Sequence, residues 1–128
     1  MSAHTPPAVQ PTARVEACAW ADRPAEHPMP LLERRRVTGE KAMVSYLVLH
    51  KGCLVPTHAH ENEQFLCIIR GRLRCIVGDD RREIILGPDQ VLYLPSNTPH
   101  SAEALEESIM LDIFTPPIAM MGADRPAR

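Results

Sequence analysis

With 128 residues, 45% of them hydrophobic and 23% charged, the chain is the size of one domain and apolar enough to bury a core rather than stay disordered. Its 14 basic and 16 acidic residues give a formal net charge of −2, which argues against a polyanion-binding surface and so against nucleic acid as a partner. No apolar run approaches the roughly 20 residues of a membrane span, and Met1-Ser-Ala-His-Thr-Pro-Pro lacks the basic start and apolar core of a signal peptide, so a cytoplasmic protein without a membrane partner is expected.

Residues 1–17 are rich in Pro, Ala and Thr without periodicity and are expected to form a flexible tail. Six of the 13 prolines precede Leu31, which leaves little room for a helix there. Glu33 to Val37 can start a strand; its arginines, Arg34 to Arg36, suit either an anionic group or a solvated face. Lys41 to His50 is rich in β-formers and reads as a strand, and Pro56 restricts the next one to an edge or a strand start. Phe65 to Ile69 is apolar on both faces, as for a strand within a two-layered structure. Arg72 to Val77, the turn Gly78-Asp79-Asp80 and Arg82 to Leu86 form a hairpin, followed by short strands at Val91 to Leu94, His100 to Leu105 and Ser108 to Phe114. No stretch has a helical period. The pattern predicts an all-β sandwich or barrel of jelly-roll type spanning residues 18–117, with residues 118–128 as a C-terminal tail. Cys18, Cys53, Cys67 and Cys75 have no C-x-x-C spacing and are expected to be reduced thiols, mostly buried.

His58 and His60 lie one residue apart, so on an extended backbone both imidazoles point to one side. A third is available at His100, in Pro95-Ser-Asn-Thr-Pro-His100. Three imidazoles and one oxygen donor suit a divalent transition metal, and Ni, Zn, Mn and Fe are all compatible. The alternative is that hydrogen bonds alone satisfy the three rings.

The spacing Gly52, His58, His60, Gln64, Gly71 resembles the first motif of the cupin superfamily, G-x5-H-x-H-x3-E-x6-G, with Gln in place of Glu. The second motif, G-x5-P-x-G-x2-H-x3-N, is matched over residues 87–104 by Pro95 and His100, while its glycines fall on Asp89 and Asn97 and its last position on Ala104. The resemblance implies a single cupin barrel (a double-stranded β-helix) with a metal held inside by His58, His60, Gln64 and His100. It also implies a homodimer, in which the Leu31 to Val37 segment is a candidate for strand exchange. Glu63, the acidic neighbour of Gln64, would face the other side of its strand and could ligate only through a bulge.

On the last strand Met110, Asp112 and Phe114 share one face, and Ile109, Leu111 and Ile113 the other. The aliphatic face is expected to be the outer layer, which leaves Asp112 inward as a catalytic group, or as a carboxylate that bonds a turn or orients a histidine. The stretch from His100 to Pro117 resembles small bacterial single-domain cupins, one branch of which ketonises 4,5-unsaturated uronates. That branch carries an Arg soon after the Asp-x-Phe, and Ile118 stands there here; Arg70, Arg72, Arg74 and Arg81 are other cations, or ordinary surface arginines. The expected function is a Lewis-acid enzyme of isomerase or tautomerase type acting on a small polar, sugar-derived or keto/enol substrate. Asp112 would be its base, and Tyr93, Met110 and Phe114 would wall its pocket. An Fe(II)-dependent dioxygenase and a non-catalytic small-molecule-binding module are the alternatives.

Overall fold

A computed structural model describes residues 14–118. Nine strands follow a short 3-10 turn at Trp20–Asp22: β1 (Leu32–Thr38), β2 (Met43–Leu49), β3 (Leu54–His58), β4 (Glu63–Arg70), β5 (Leu73–Val77), β6 (Arg82–Leu86), β7 (Val91–Leu94), β8 (His100–Ala104) and β9 (Ser108–Thr115). They pair antiparallel into two sheets, in the orders β1-β2-β9-β4-β7 and β3-β8-β5-β6. Apart from the β1-β2 and β5-β6 hairpins, every connection carries the chain from one sheet to the other, the arrangement of a jelly-roll barrel. Among the described residues no helix is long and apolar enough to cross a membrane.

The period of two decides which residues fill the barrel. On β2, Met43, Ser45, Leu47 and Leu49 point inward, and on β9, Ser108, Met110, Asp112 and Phe114 do the same. Each large apolar side chain buried this way contributes roughly 1.5–3 kcal/mol. On β4 the inward set is Gln64, Leu66 and Ile68, while Phe65 and Ile69 remain on the exposed outer face. Pro56, which has no N–H to donate, lies on β3, an edge strand of its sheet.

The segment considered for exchange is the edge strand β1, and it pairs over its whole length with β2 of the same chain. Residues 14–17 are exposed and irregular, and the rest of the expected N-terminal tail lies outside the described residues. At the other end, residues 119–128 lie outside them, whereas Ile118, placed in the tail from sequence, is 9% exposed and joins the core. Burial of an isoleucine past the last strand moves that boundary outward.

Gly71, between β4 and β5, has a φ of +98° and no room for a side chain: a Cβ there would lie 2.3 Å from Ser108 Oγ and 2.5 Å from the Glu107 carbonyl oxygen. The next residue donates its backbone N–H to Ser108 Oγ at 3.1 Å, so the loop cannot shift away without losing that bond. Gly71→Ala is expected to destabilise the fold by at least about 2 kcal/mol, combining left-handed strain with overpacking, as chemical denaturation would measure.

Candidate metal centre

The two sheets bring the histidines together from opposite directions in the chain. His58, the last residue of β3, is the cross-strand partner of His100, the first residue of β8. His60 follows in the loop 59–62, which is tied down twice: Asn97 donates its backbone N–H to the His60 carbonyl at 2.7 Å, and Asn62 Nδ2 donates to the Pro116 carbonyl at 2.6 Å. The ring centroids lie 4.2 Å (His58–His100), 5.1 Å (His60–His100) and 5.6 Å (His58–His60) apart. One ring nitrogen from each lies within 4.8 Å of the other two.

Backbone carbonyls two residues away fix the tautomers. Nδ1–H of His58 donates to Pro56 O at 2.7 Å, that of His60 to Asn62 O at 3.0 Å, and that of His100 to Thr98 O at 2.8 Å. Each ring is left with Nε2 as its lone-pair nitrogen, the state a metal ligand requires. Sequence reading did not find these three carbonyl acceptors, because a side-chain bond to a backbone oxygen leaves no mark in residue type.

Gln64 is inward on β4 and 4% exposed; Glu63 points outward and accepts a hydrogen bond from the Tyr93 hydroxyl. The irregularity of β4 lies between Ile68 and Arg70, so nothing turns Glu63 inward. Gln64 stands opposite Phe114 in the ladder and diagonal to Asp112, to which its amide is hydrogen-bonded. With the amide N–H donated to that carboxylate, Oε1 faces Nε2 of His60 at 3.2 Å. Two acceptors this close are satisfied by a cation between them. His100 Nε2 is likewise buried without a hydrogen-bond partner. An orphaned buried nitrogen, paired acceptors and three fixed tautomers make a donor set that fits one divalent transition metal.

Burial, reinforced by His58, pushes the imidazole of His100 down to about 4, so its lone pair is free at neutral pH. Asp112 is 4% exposed, and burial lifts its carboxyl to about 7 against the lowering effect of the Gln64 bond; Oδ1 has no partner. Both residues line one interior cavity of about 40 Å³, with Met110 and Phe114 among its apolar walls. That space holds an ion with a few waters at most. His58 and His60 are only half-buried, so the centre opens to solvent on their side.

Of the three expected wall residues, Met110 and Phe114 line this cavity and Tyr93 does not. Tyr93 is 47% exposed on the outer face of β7, where its ring lies 5.0 Å from that of Phe65. The cause is pairing: Tyr93 stands opposite Phe65, an outward residue of β4. The two positions where the second motif has glycine are both left-handed, with φ +65° at Asp89 and +62° at Asn97. Asp and Asn are the residues other than glycine that adopt this conformation most readily, so the backbone turns that the motif encodes are kept. Cys53 and Cys75 are buried thiols, pushed up by burial to about 11 and about 12. Cys67 is half-buried and Cys18 exposed.

The family described as "Cupin domain" matches residues 45–114, more than half of the 128-residue chain. The chain belongs to the cupin family. Similar solved structures support the fold. KdgF from Halomonas sp. is 22% identical, with a TM-score of 0.72 over 77% of this chain and 91% of that one. An RmlC-like cupin from Shewanella frigidimarina is 20% identical, with a TM-score of 0.76 over 83% and 95%. The polyketide cyclase RemF from Streptomyces resistomycificus is 16% identical, with a TM-score of 0.71 over 80% of each chain. No curated protein sequence matches this cupin significantly.

Proposed function

We propose that this cupin is a metal-dependent enzyme of isomerase or tautomerase type, acting on a small keto/enol or sugar-derived substrate by proton transfer. The observation that carries the reading is the convergence of His58, His100 and Gln64 on the cavity that the buried Asp112 also lines, with His60 beside them, within 4.8 Å of the other two histidines and 3.2 Å from the Gln64 oxygen. A divalent ion held by His58, His60, His100 and Gln64 would supply Lewis acidity toward a carbonyl, hydroxyl or carboxylate oxygen of the substrate, undiminished by its neutral ligands.

The chain's own residues do the rest. Gln64 is held by Asp112 with its oxygen aimed at His60, and the backbone carbonyls hold each imidazole in its ligating tautomer. Asp112 takes the proton from the carbon beside the polarised oxygen and returns it to a second atom of the same substrate, so no oxidant or reductant is consumed. Only the reacting end of the substrate reaches the roughly 40 Å³ interior; the remainder stays at the mouth beside His58 and His60. Met110 and Phe114 keep water from the Asp112 side.

Unsaturated uronates are the substrate class to try first, on the strength of the His58, His60, Gln64, His100 set with Asp112 and Phe114. Ile118, where that branch has Arg, is buried in the core and offers no cation. The test is metal analysis of the purified protein, then incubation with 4,5-unsaturated uronates under air and under nitrogen, following the conjugated-alkene absorbance. The expected result is a metal-dependent loss of absorbance at equal rates in both atmospheres. Unchanged absorbance removes the uronates, and turnover that requires oxygen replaces proton transfer by dioxygenase chemistry.

A further inference from the structure

A second cleft, of about 610 Å³, is lined among the described residues by Arg23, Pro24, Glu26, Arg36, Thr38, Met43, Pro117 and Ile118, none of them a candidate metal ligand. Its size is that of a small-molecule site, whereas the cavity at the metal is far smaller. The cleft and the metal centre are separate in lining but adjoin through Phe114, which stands opposite Met43 in the β2–β9 ladder and whose ring lies 5.6 Å from that of His60.

The wall of this cleft carries an excess of positive charge. Glu26 forms an isolated bridge with Arg34, which sets both side chains on one side of the sheet. The Glu26 carboxylate receives Arg36 through two bonds of 2.7 Å and Arg34 through two of 3.3 Å. Burial raises the Glu26 carboxyl, but the Arg34 and Arg36 guanidiniums outweigh it and hold the group below the usual carboxylate range. Arg23 joins the group by donating Nε–H to the Arg36 carbonyl at 2.9 Å, and its terminal nitrogens have no acceptor among the described residues. Among the described lining residues there are thus two guanidiniums, those of Arg23 and Arg36, to one carboxylate, that of Glu26, which the buried Arg34 also engages. Met43, Pro117 and Ile118 give the same cleft an apolar floor.

We infer that the cleft between Arg23, Arg36 and the Met43–Ile118 floor binds a small organic oxyanion, a carboxylate or a phosphate ester. Arg23 and Arg36 would hold the anionic group, and the floor would take the organic part. Planar guanidiniums suit both anions, because each offers paired N–H donors to paired oxygens. Glu26 competes for the same donors, so its charge sets the affinity.

The test is calorimetric titration of the full chain with benzoate, phenyl phosphate and inorganic phosphate, each against sodium chloride at equal ionic strength, in metal-loaded and chelator-treated protein. Saturable binding of benzoate or phenyl phosphate, unaltered by chelation, is expected, and whichever binds tighter identifies the natural anion class. Phenyl phosphate should also exceed inorganic phosphate, through the floor. Arg23→Gln should weaken binding about tenfold, the worth of one charge-assisted pair, and Glu26→Gln should strengthen it severalfold. If Glu26→Gln fails to fold, Arg23→Gln decides alone, since its side chain makes a single bond within the described chain. No binding beyond the chloride control, binding unaffected by Arg23→Gln, or binding that disappears with the metal would each overturn the inference. The last result would place the anion on the metal and leave the proposed function standing.

Discussion

Replacing His100 by alanine is expected to abolish stoichiometric metal binding while leaving a folded barrel. Affinities of about 10–16 kcal/mol for structural four-ligand zinc sites divide to roughly 3 kcal/mol per ligand, so loss of one costs more than a hundredfold. His100 is the ligand to remove because it is the most buried of the three histidines and its Nε2 has no other partner. In the metal-free protein that orphaned nitrogen is a liability of about 1–3 kcal/mol. Its removal offsets part of the cavity left by the ring, and the metal-free melting temperature should change little. What disappears is the increment that metal adds, about 2.7 kcal/mol at a concentration one hundred times the dissociation constant. Metal content by elemental analysis and paired melting curves with and without metal check both halves. A variant that retains full metal content would remove His100 from the centre.

Much of this arrangement was legible because strand alternation carries it. Gln64 against Glu63, and Asp112 against Leu111 and Ile113, are choices between two faces of long strands; the motif spacing decides the first and the wholly aliphatic face of Ile109, Leu111 and Ile113 the second. Tyr93 was not legible for the same physical reason in reverse. Val91–Leu94 is apolar at all four positions, so a period of two cannot say which side faces in, and only pairing with Phe65 settles it. By residue type the second motif is incomplete, with Asp89 and Asn97 in place of its glycines. What the turns require is a left-handed φ, and Asp89 and Asn97 supply it. Ile118 was read as tail because nothing near it in sequence shows the core it completes. The Arg23–Glu26–Arg36 cluster was out of reach as well, since residues 23–26 and 34–36 are brought together by the isolated bridge of Glu26 to Arg34 and by side-chain bonds that residue type does not announce.

Asp112→Asn is expected to keep the metal and lose turnover by about 10²–10⁴-fold, the usual contribution of a positioned base. Asn retains an oxygen that can accept the Gln64 N–H, so the ligand oxygen stays aimed at His60 and metal content should match the wild type. The same variant has a signature in the metal-free protein that needs no substrate. Asp112 in the folded state titrates at about 7 against 3.8 for the free group, so between those values the native state holds a proton the unfolded state has lost. That favours the fold at low pH, and the advantage is lost as pH rises through the window. His100 acts oppositely: at about 4 folded against 6.5 free, it is neutral in the native state while the unfolded chain is protonated, so its effect is to destabilise as pH falls. Over the shared window, about pH 4 to 6.5, the two slopes cancel in the wild type. Removing the carboxylate leaves the His100 slope alone, about 1.4 kcal/mol per pH unit. Relative to wild type, metal-free Asp112→Asn should therefore lose on the order of 3 kcal/mol between pH 7 and pH 4, measured by denaturant unfolding at each pH. Parallel stability profiles for the two proteins would mean that Asp112 is ionised alike in the folded and unfolded chain, and a carboxylate so placed could not be the poised base that the proposed proton transfer needs.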